Sequence, residues 1–287
     1  MRFKILNSAI LLISTIGVGA ANLSHAGDYD APAQELLKQT LQLDVGLFVL
    51  GTSTKASLNG HGTANPEVDF NHVFGTGYDT QRFRLDGIWR ISNRNHLTFM
   101  YFTNGVSRTR TLDQEIDWGD AVYDAGASVT AKTRVSVYEL GYEYAFVKNP
   151  TFELAAGIGV HYTKVTIGLT GTATVTPPGG PSTTVDGEAK TASVPAPLPV
   201  IGLRAGWAFA DHFLLEGQVQ WFDFSYDQFN GHWTDAKLGV IWMMNQHFGV
   251  GIGYDDFRTN LSIGQSNFNG KLVLGYHGGL IYLRGAI

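Results

Sequence analysis

The residues of this chain that could do chemistry are charged groups and histidines spaced at alternate positions. Arg82, Arg84, Asp86 and Arg90 share one parity of their segment, Glu139 and Glu143 share one of another, and Glu153 shares one with His161. Arg204, Glu216, Asp235, Lys237, Asp255, Lys271 and His277 recur in similar settings further along. His161 or His277 could act as a general base, with Glu139 or Glu143 orienting the imidazole. The rest of a hydrolase is missing, because no serine stands in a Gly-x-Ser-x-Gly setting. Gly157-Ile158-Gly159 and the glycines between Gly249 and Gly253 lead into no helical pattern, so they are not phosphate cradles.

Metal and cofactor chemistry find no better footing. Cysteine is absent, which removes thiolate ligands and disulfides. His96, His212 and His247 each precede a different apolar segment and lack i,i+2 or i,i+4 pairing, so they read as interfacial polar residues. Asp113, Glu115, Asp117, Asp120 and Asp124 crowd one polar stretch without EF-hand spacing and read as a solvated loop. No cofactor and no metal are expected. Ions of both signs withdrawn from water must pair or stay hydrated, so the alternating groups are first an ionic network filling a narrow interior. A selective lining for ions or small solutes is the second reading, and a lipid-modifying or proteolytic enzyme the third.

The elements that must position these groups are strands. In Arg82–Ile91 the odd positions hold Phe83, Leu85, Gly87, Trp89 and Ile91, while the charges take even ones. A strand sends alternate side chains to opposite faces, so one face is apolar and the other ionic. Tyr138 to Phe146, Phe152 to Tyr162, Ile201 to Phe209, Phe213 to Trp221, Leu238 to Trp242 and Phe248 to Tyr254 repeat the split. In the last segment, Leu272, Leu274, Tyr276, Leu280 and Tyr282 are assigned to the apolar face, opposite Lys271, Gly275 and His277. Lys164 and Arg284 then fall on apolar faces near strand ends, where long cations can reach headgroups.

A soluble sandwich also alternates. Three features favour lipid instead. The apolar faces carry Tyr and Trp near strand ends, the polar faces carry glycine and mixed charge, and connections alternate in length. Residues 92–95, 148–151, 210–212 and 245–247 form short turns. Leu58 to Gly77, Thr111 to Lys132 and Gly171 to Val194 form long polar connections. Charged residues make up 16% of the chain, against about a quarter in a soluble domain that must face water. The net charge of −5 and the absence of a basic cluster disfavour nucleic acid.

Residues 1–26 read as a signal peptide, with Arg2 and Lys4 before an apolar stretch and Ser24-His25-Ala26 at the cleavage position. Residues 27–41 are expected to be a periplasmic segment, with Leu36, Leu37 and Leu41 on an amphipathic helix at the membrane surface. Residues 42–287 are expected to form a transmembrane antiparallel up-and-down β-barrel of about ten strands, eight being the alternative. The upward strands start near Gln42, Leu97, Phe152, Phe213 and Phe248. Asn230-Gly231 predicts a two-residue hairpin turn that sets Trp221 opposite Val240 and Val219 opposite Trp242.

The mature chain resembles the small outer-membrane barrels of Gram-negative bacteria, the broad OmpA/OmpW-like group. The resemblance rests on Glu67-Val68-Asp69-Phe70, Arg84 to Arg90, Leu140-Gly141-Tyr142-Glu143-Tyr144 and Gly251-Ile252-Gly253-Tyr254. It implies a barrel in the cell outer membrane and transfers no active site. Its expected partners are outer-membrane lipid and lipopolysaccharide, the barrel-insertion machinery, and small solutes if the lumen conducts.

Overall fold

The computed structural model describes residues 31–59, 67–76, 80–118, 121–175, 182–226, 229–265 and 268–287. The proposed signal peptide lies outside them. A short helix α1 (Pro32–Leu36) precedes strand β1 (Leu41–Asn59). Then come β2 (Val68–Asp69), α2 (Phe70–Phe74), β3 (Thr80–Arg90), β4 (Asn95–Thr111), β5 (Ile116–Trp118) and β6 (Ala121–Tyr123). The remaining strands are β7 (Ser128–Lys148), β8 (Phe152–Val175), β9 (Thr183–Ala210), β10 (Phe213–Tyr226), β11 (Phe229–Met243), β12 (Phe248–Gln265) and β13 (Phe268–Ala286).

Ten of these strands close a ring. Antiparallel ladders run β1–β3–β4–β7–β8–β9–β10–β11–β12–β13, and β13 pairs with β1 from Gln42↔Ala286 to Asn59↔Asn269. Closure leaves the hydrocarbon no open sheet edge, where each bare amide is costly. β2, β5 and β6 stand outside the ring, with β2 on β1 and β6 on β8.

Outward side chains mark the membrane. Val45, Leu47 and Val49 of β1, Leu140 (63% exposed) of β7, Ile158 of β8, Ile201 of β9, Leu238 of β11 and Ile252 of β12 all point out. Aromatic rows edge this band, with Trp89, Trp207 and Trp242 at the periplasmic end and Tyr138, Tyr162 and Tyr254 at the other. Tyr101 lies 5.1 Å from Tyr138, and Tyr138 6.3 Å from Tyr162, ring centre to ring centre.

A tilted strand crosses the hydrocarbon in about ten residues. β7, β8 and β9 have 21, 24 and 28. Much of the expected long connections Thr111 to Lys132 and Gly171 to Val194 is therefore strand, rising above the membrane. The acidic stretch near Asp117 is largely the β5–β6 hairpin, with Trp118 and Tyr123 buried.

Two corrections concern register. The β10–β11 hairpin pairs Trp221 with Thr234 and Phe213 with Trp242, and Asn230-Gly231 sits within β11 opposite Ser225 and Phe224. The observed register differs from the predicted one by six residues. An even slip keeps every side chain on its face, so agreement of the apolar faces could not detect it. The last strand is reversed as well. Leu272, Leu274, Tyr276, Leu280 and Tyr282 are buried, whereas Ile281 and Leu283 are 60% and 63% exposed.

Candidate functional site: the ion-paired lumen

Inward-facing residues form tiers along the barrel axis. At the periplasmic end α1 covers the opening. The Ala33 amide donates to the Asp211 carbonyl at 2.9 Å. Leu36 and Leu37 are buried, in company with the inward Leu214, Ile241 and Met243. This differs from a helix lying on the membrane surface. Five residues are too short for a stable interfacial helix, and the leucine pair finds a drier place in the barrel mouth. Lys148 ties the segment down by donating to the Leu37 carbonyl at 2.7 Å.

The next tier is ionic. Glu153, fully buried, accepts from Arg204 at 3.1 Å, from Arg90 at 3.3 Å and from Lys148. Arg204 also donates to Glu143 at 2.7 Å and meets the ring of His96 at 3.2 Å. His96 is thus not interfacial but buried among charges. Its Nε2 lies 3.8 Å from Glu153, and the start of β4 turns it inward.

A second cluster centres on Arg284 of β13. Its guanidinium forks onto Asp44 of β1 at 2.6 Å on both arms and onto Glu216 of β10 at 2.7 and 2.8 Å. The expectation that Arg284 reaches outward to headgroups is therefore wrong. A third cluster joins Arg84 to Asp86 at 2.8 Å and to Asp255, with Lys237 on Asp86 at 3.0 Å. The rings of Phe48 and Tyr282 lie 5.6 to 5.9 Å from these cations. Tyr282 fits there because its neighbours are glycines: a Cβ on Gly251 would fall 2.2 Å from the ring, and one on Gly46 would be 2.5 Å from the Tyr282 Cβ.

Higher in the lumen Glu139 accepts from Gln220 and pairs with His161 at 2.6 Å. The His161 ring stacks on Trp233 at 4.4 Å. Phe257, Tyr276, Phe48 and Phe102 continue this tier, with Phe257 and Tyr276 stacked at 4.6 Å. Above them the β5–β6 hairpin and α2 carry Trp118 against Phe70 at 5.5 Å, and Tyr123 donates to the Leu169 carbonyl at 3.1 Å. Asp69 caps α2 by accepting from the amides of Asn71 and His72. Burial raises its carboxyl, but those amides and the nearby Lys55 ammonium outweigh it and hold Asp69 below the usual carboxylate range.

Of the residues singled out in the sequence, Arg84, Asp86, Arg90, Glu139, Glu143, Glu153, His161, Arg204, Glu216, Asp235, Lys237 and Asp255 point into the lumen. Arg82 does too, holding Asn104 at 2.8 Å. Two do not. Lys271 faces outward and pairs with Glu67 at 2.8 Å, and His277 is exposed on the outer wall. Both follow from the reversed face of β13. His161 and His277 therefore never meet. Among the described residues, His161 Nδ1 has no hydrogen-bond partner, and no hydroxyl sits against it. The ionisable lumen members missed in sequence are Asp44, His96, Lys148 and Arg284. Asp44 was within reach, since Gln42, Asp44 and Gly46 alternate with Leu43, Val45 and Leu47.

Among solved structures the chain is similar to the outer-membrane protease OmpT of Escherichia coli. The identity is 13%, the match covers 86% of this chain and 96% of that one, and the TM-score is 0.57. By fold, this is an outer-membrane β-barrel. The toluene transporter TodX of Pseudomonas putida matches at 8% identity over 90% of this chain and 94% of that one, with a TM-score of 0.33. The attachment invasion locus protein Ail of Yersinia pestis matches at 8% over 83% and 97%, with 0.28. At those scores neither bears on function or detailed fold. No protein-family model and no curated protein matches the chain.

Proposed function

We propose that this barrel has a structural or surface-presenting role in the outer membrane and that its lumen is closed to solutes. One observation carries the reading: apolar tiers at both ends enclose a belt of ions that pair with one another, Asp235 apart. The cavity beside that belt, lined by Asp44, Arg84, Glu216, Lys237 and Arg284 among others, measures about 60 Å³, room for a few waters. A conducting filter needs ions bound weakly enough to leave, whereas Arg284 and Arg204 each hold two carboxylates.

The same packing argues against catalysis. Among the described residues, the buried imidazole–carboxylate pair at hydrogen-bond distance, His161 and Glu139, is sealed from solvent, and His161 Nδ1 has no hydrogen-bond partner. The proposed partners are outer-leaflet lipid and lipopolysaccharide on the outer wall, and the insertion machinery during assembly. Planar-bilayer recording of the purified protein tests the closed lumen. The expected trace shows no defined conductance steps. Reproducible unitary steps would overturn the reading in favour of a narrow pore.

A further inference from the structure

The outer wall carries a basic patch in one sector, just above the upper tyrosine row. β8 rises from the periplasmic turn, so Lys164 stands two residues above Tyr162; β7 descends, so Arg134 and Lys132 stand four and six residues above Tyr138. At about 3.3 Å per residue and a 35–45° tilt, these steps lift the three cations roughly 5, 10 and 15 Å over the tyrosines. All three are exposed and line one broad concave face of about 1070 Å³, whose floor is threonine, serine and glycine.

Their isolation separates them from other outward cations. Lys55 is held by Asp69 at 3.2 Å, Lys271 by Glu67 at 2.8 Å and Arg258 by Asp256 at 2.8 Å. Among the described residues no carboxylate lies within ion-pair distance of Lys132, Arg134 or Lys164. Nor does any acid share the outward face of β4, β7 or β8 above the tyrosine row. Three like charges crowded without counter-ions repel one another and gain most from a shared anion of high charge density. The long stems of Lys132 and Arg134 can lean down toward the headgroups, and the Arg134 fork suits a phosphate. Tyr138 and Tyr162 below offer ring faces to the sugar and acyl shoulders of the same molecule.

We propose that this sector seats the phosphates of a phosphorylated glycolipid of the outer leaflet, that is, lipid A. The site rests on the barrel sitting with its upper tyrosine row at the outer interface, and it adds a defined lipid position to that reading.

The test measures binding of diphosphoryl lipid A, and of the same lipid with its phosphates removed, to the purified full-length protein in detergent. The variants are Lys132→Gln/Arg134→Gln/Lys164→Gln and, as a control cation, Arg258→Gln. The triple variant is expected to bind diphosphoryl lipid A about tenfold more weakly, the sum of three exposed charge contacts, and Arg258→Gln to bind as the parent does. Dephosphorylated lipid should bind parent and triple variant alike, at the weaker level. Undiminished affinity in the triple variant overturns the site. So does equal affinity of the parent for both lipids, a comparison that needs no variant to fold. A parent that fails to insert into vesicles as a heat-modifiable barrel overturns the membrane reading instead, and gel mobility distinguishes the two failures.

Discussion

Replacing Arg284 with leucine sets two accounts of the last strand against each other with opposite signs. In the lumen its guanidinium satisfies Asp44 on both oxygens and Glu216 on both oxygens, and it is only 3% exposed. Leucine would leave two buried carboxylates facing each other without a counter-ion. Breaking a buried pair by removing one partner costs about 3–5 kcal/mol, which at 1.4 kcal/mol per decade shifts the folding equilibrium by roughly two to three and a half powers of ten. A lipid-facing Arg284, as the sequence pattern implied, would give the reverse. Taking arginine off a lipid face gains between about 0 kcal/mol near the interface and 2–4 kcal/mol at mid-depth. Reversible urea unfolding in vesicles, followed by tryptophan fluorescence, reads the difference. The companion variant Asp44→Leu/Glu216→Leu/Arg284→Met should recover most of the loss, since an apolar triad of similar size replaces an ion cluster at little cost. Arg284→Leu at or above parental stability would refute the lumen assignment.

Two further outcomes follow from the same packing. Gly278→Ala should destabilise the barrel by about 1–3 kcal/mol, because the added Cβ would lie 2.0 Å from the Val49 carbonyl oxygen; Gly285→Ala, with nothing within 4 Å, should be neutral in the same unfolding assay. Asp69 has a lowered carboxyl value, so its cap on α2 contributes fully above the ordinary unfolded aspartate value of 3.8 and is lost as pH falls through the lower folded value. Amide exchange at Asn71 and His72 should accelerate in that acid range, and Asp69→Ala should remove the pH dependence while costing about 1 kcal/mol of local stability.

The sequence made the barrel legible because lipid and lumen impose opposite chemistry on alternate residues. Seven of the ten ring strands, β3 and β7 to β12, carry that contrast strongly enough to orient them, as Tyr138–Phe146 against Glu139 and Glu143 illustrates. The last strand does not. Leu280, Ile281, Tyr282 and Leu283 are apolar on both parities, because the inward pair lies among the lumen ions: Leu280 and Tyr282 share a small cavity with Asp44, Arg84, Asp86 and Lys237, and the Tyr282 ring sits 5.8 and 5.9 Å from Lys237 and Arg284. Arg284 was the polar residue able to break the tie, and treating it as a headgroup anchor fixed the wrong face for Lys271 and His277. The β10–β11 register was hidden for a different reason. Parity constrains a pairing only modulo two, so a six-residue slip is silent. The lower ionic tier was legible for Arg90, Glu143, Glu153 and Arg204, but not for His96 and Lys148, which sit at strand ends where in and out are set by the neighbouring turn.

The central claim is that hydrocarbon covers the apolar outer wall while the charges pair inside, and β13 is where the two faces are hardest to tell apart. Single cysteines at positions 280 to 284, carrying a fluorophore and challenged with a lipid-confined quencher in vesicles, test it directly. Strong quenching at 281 and 283 with protection at 280, 282 and 284 is the predicted pattern. The opposite phase, or equal access from water at every position, would contradict it.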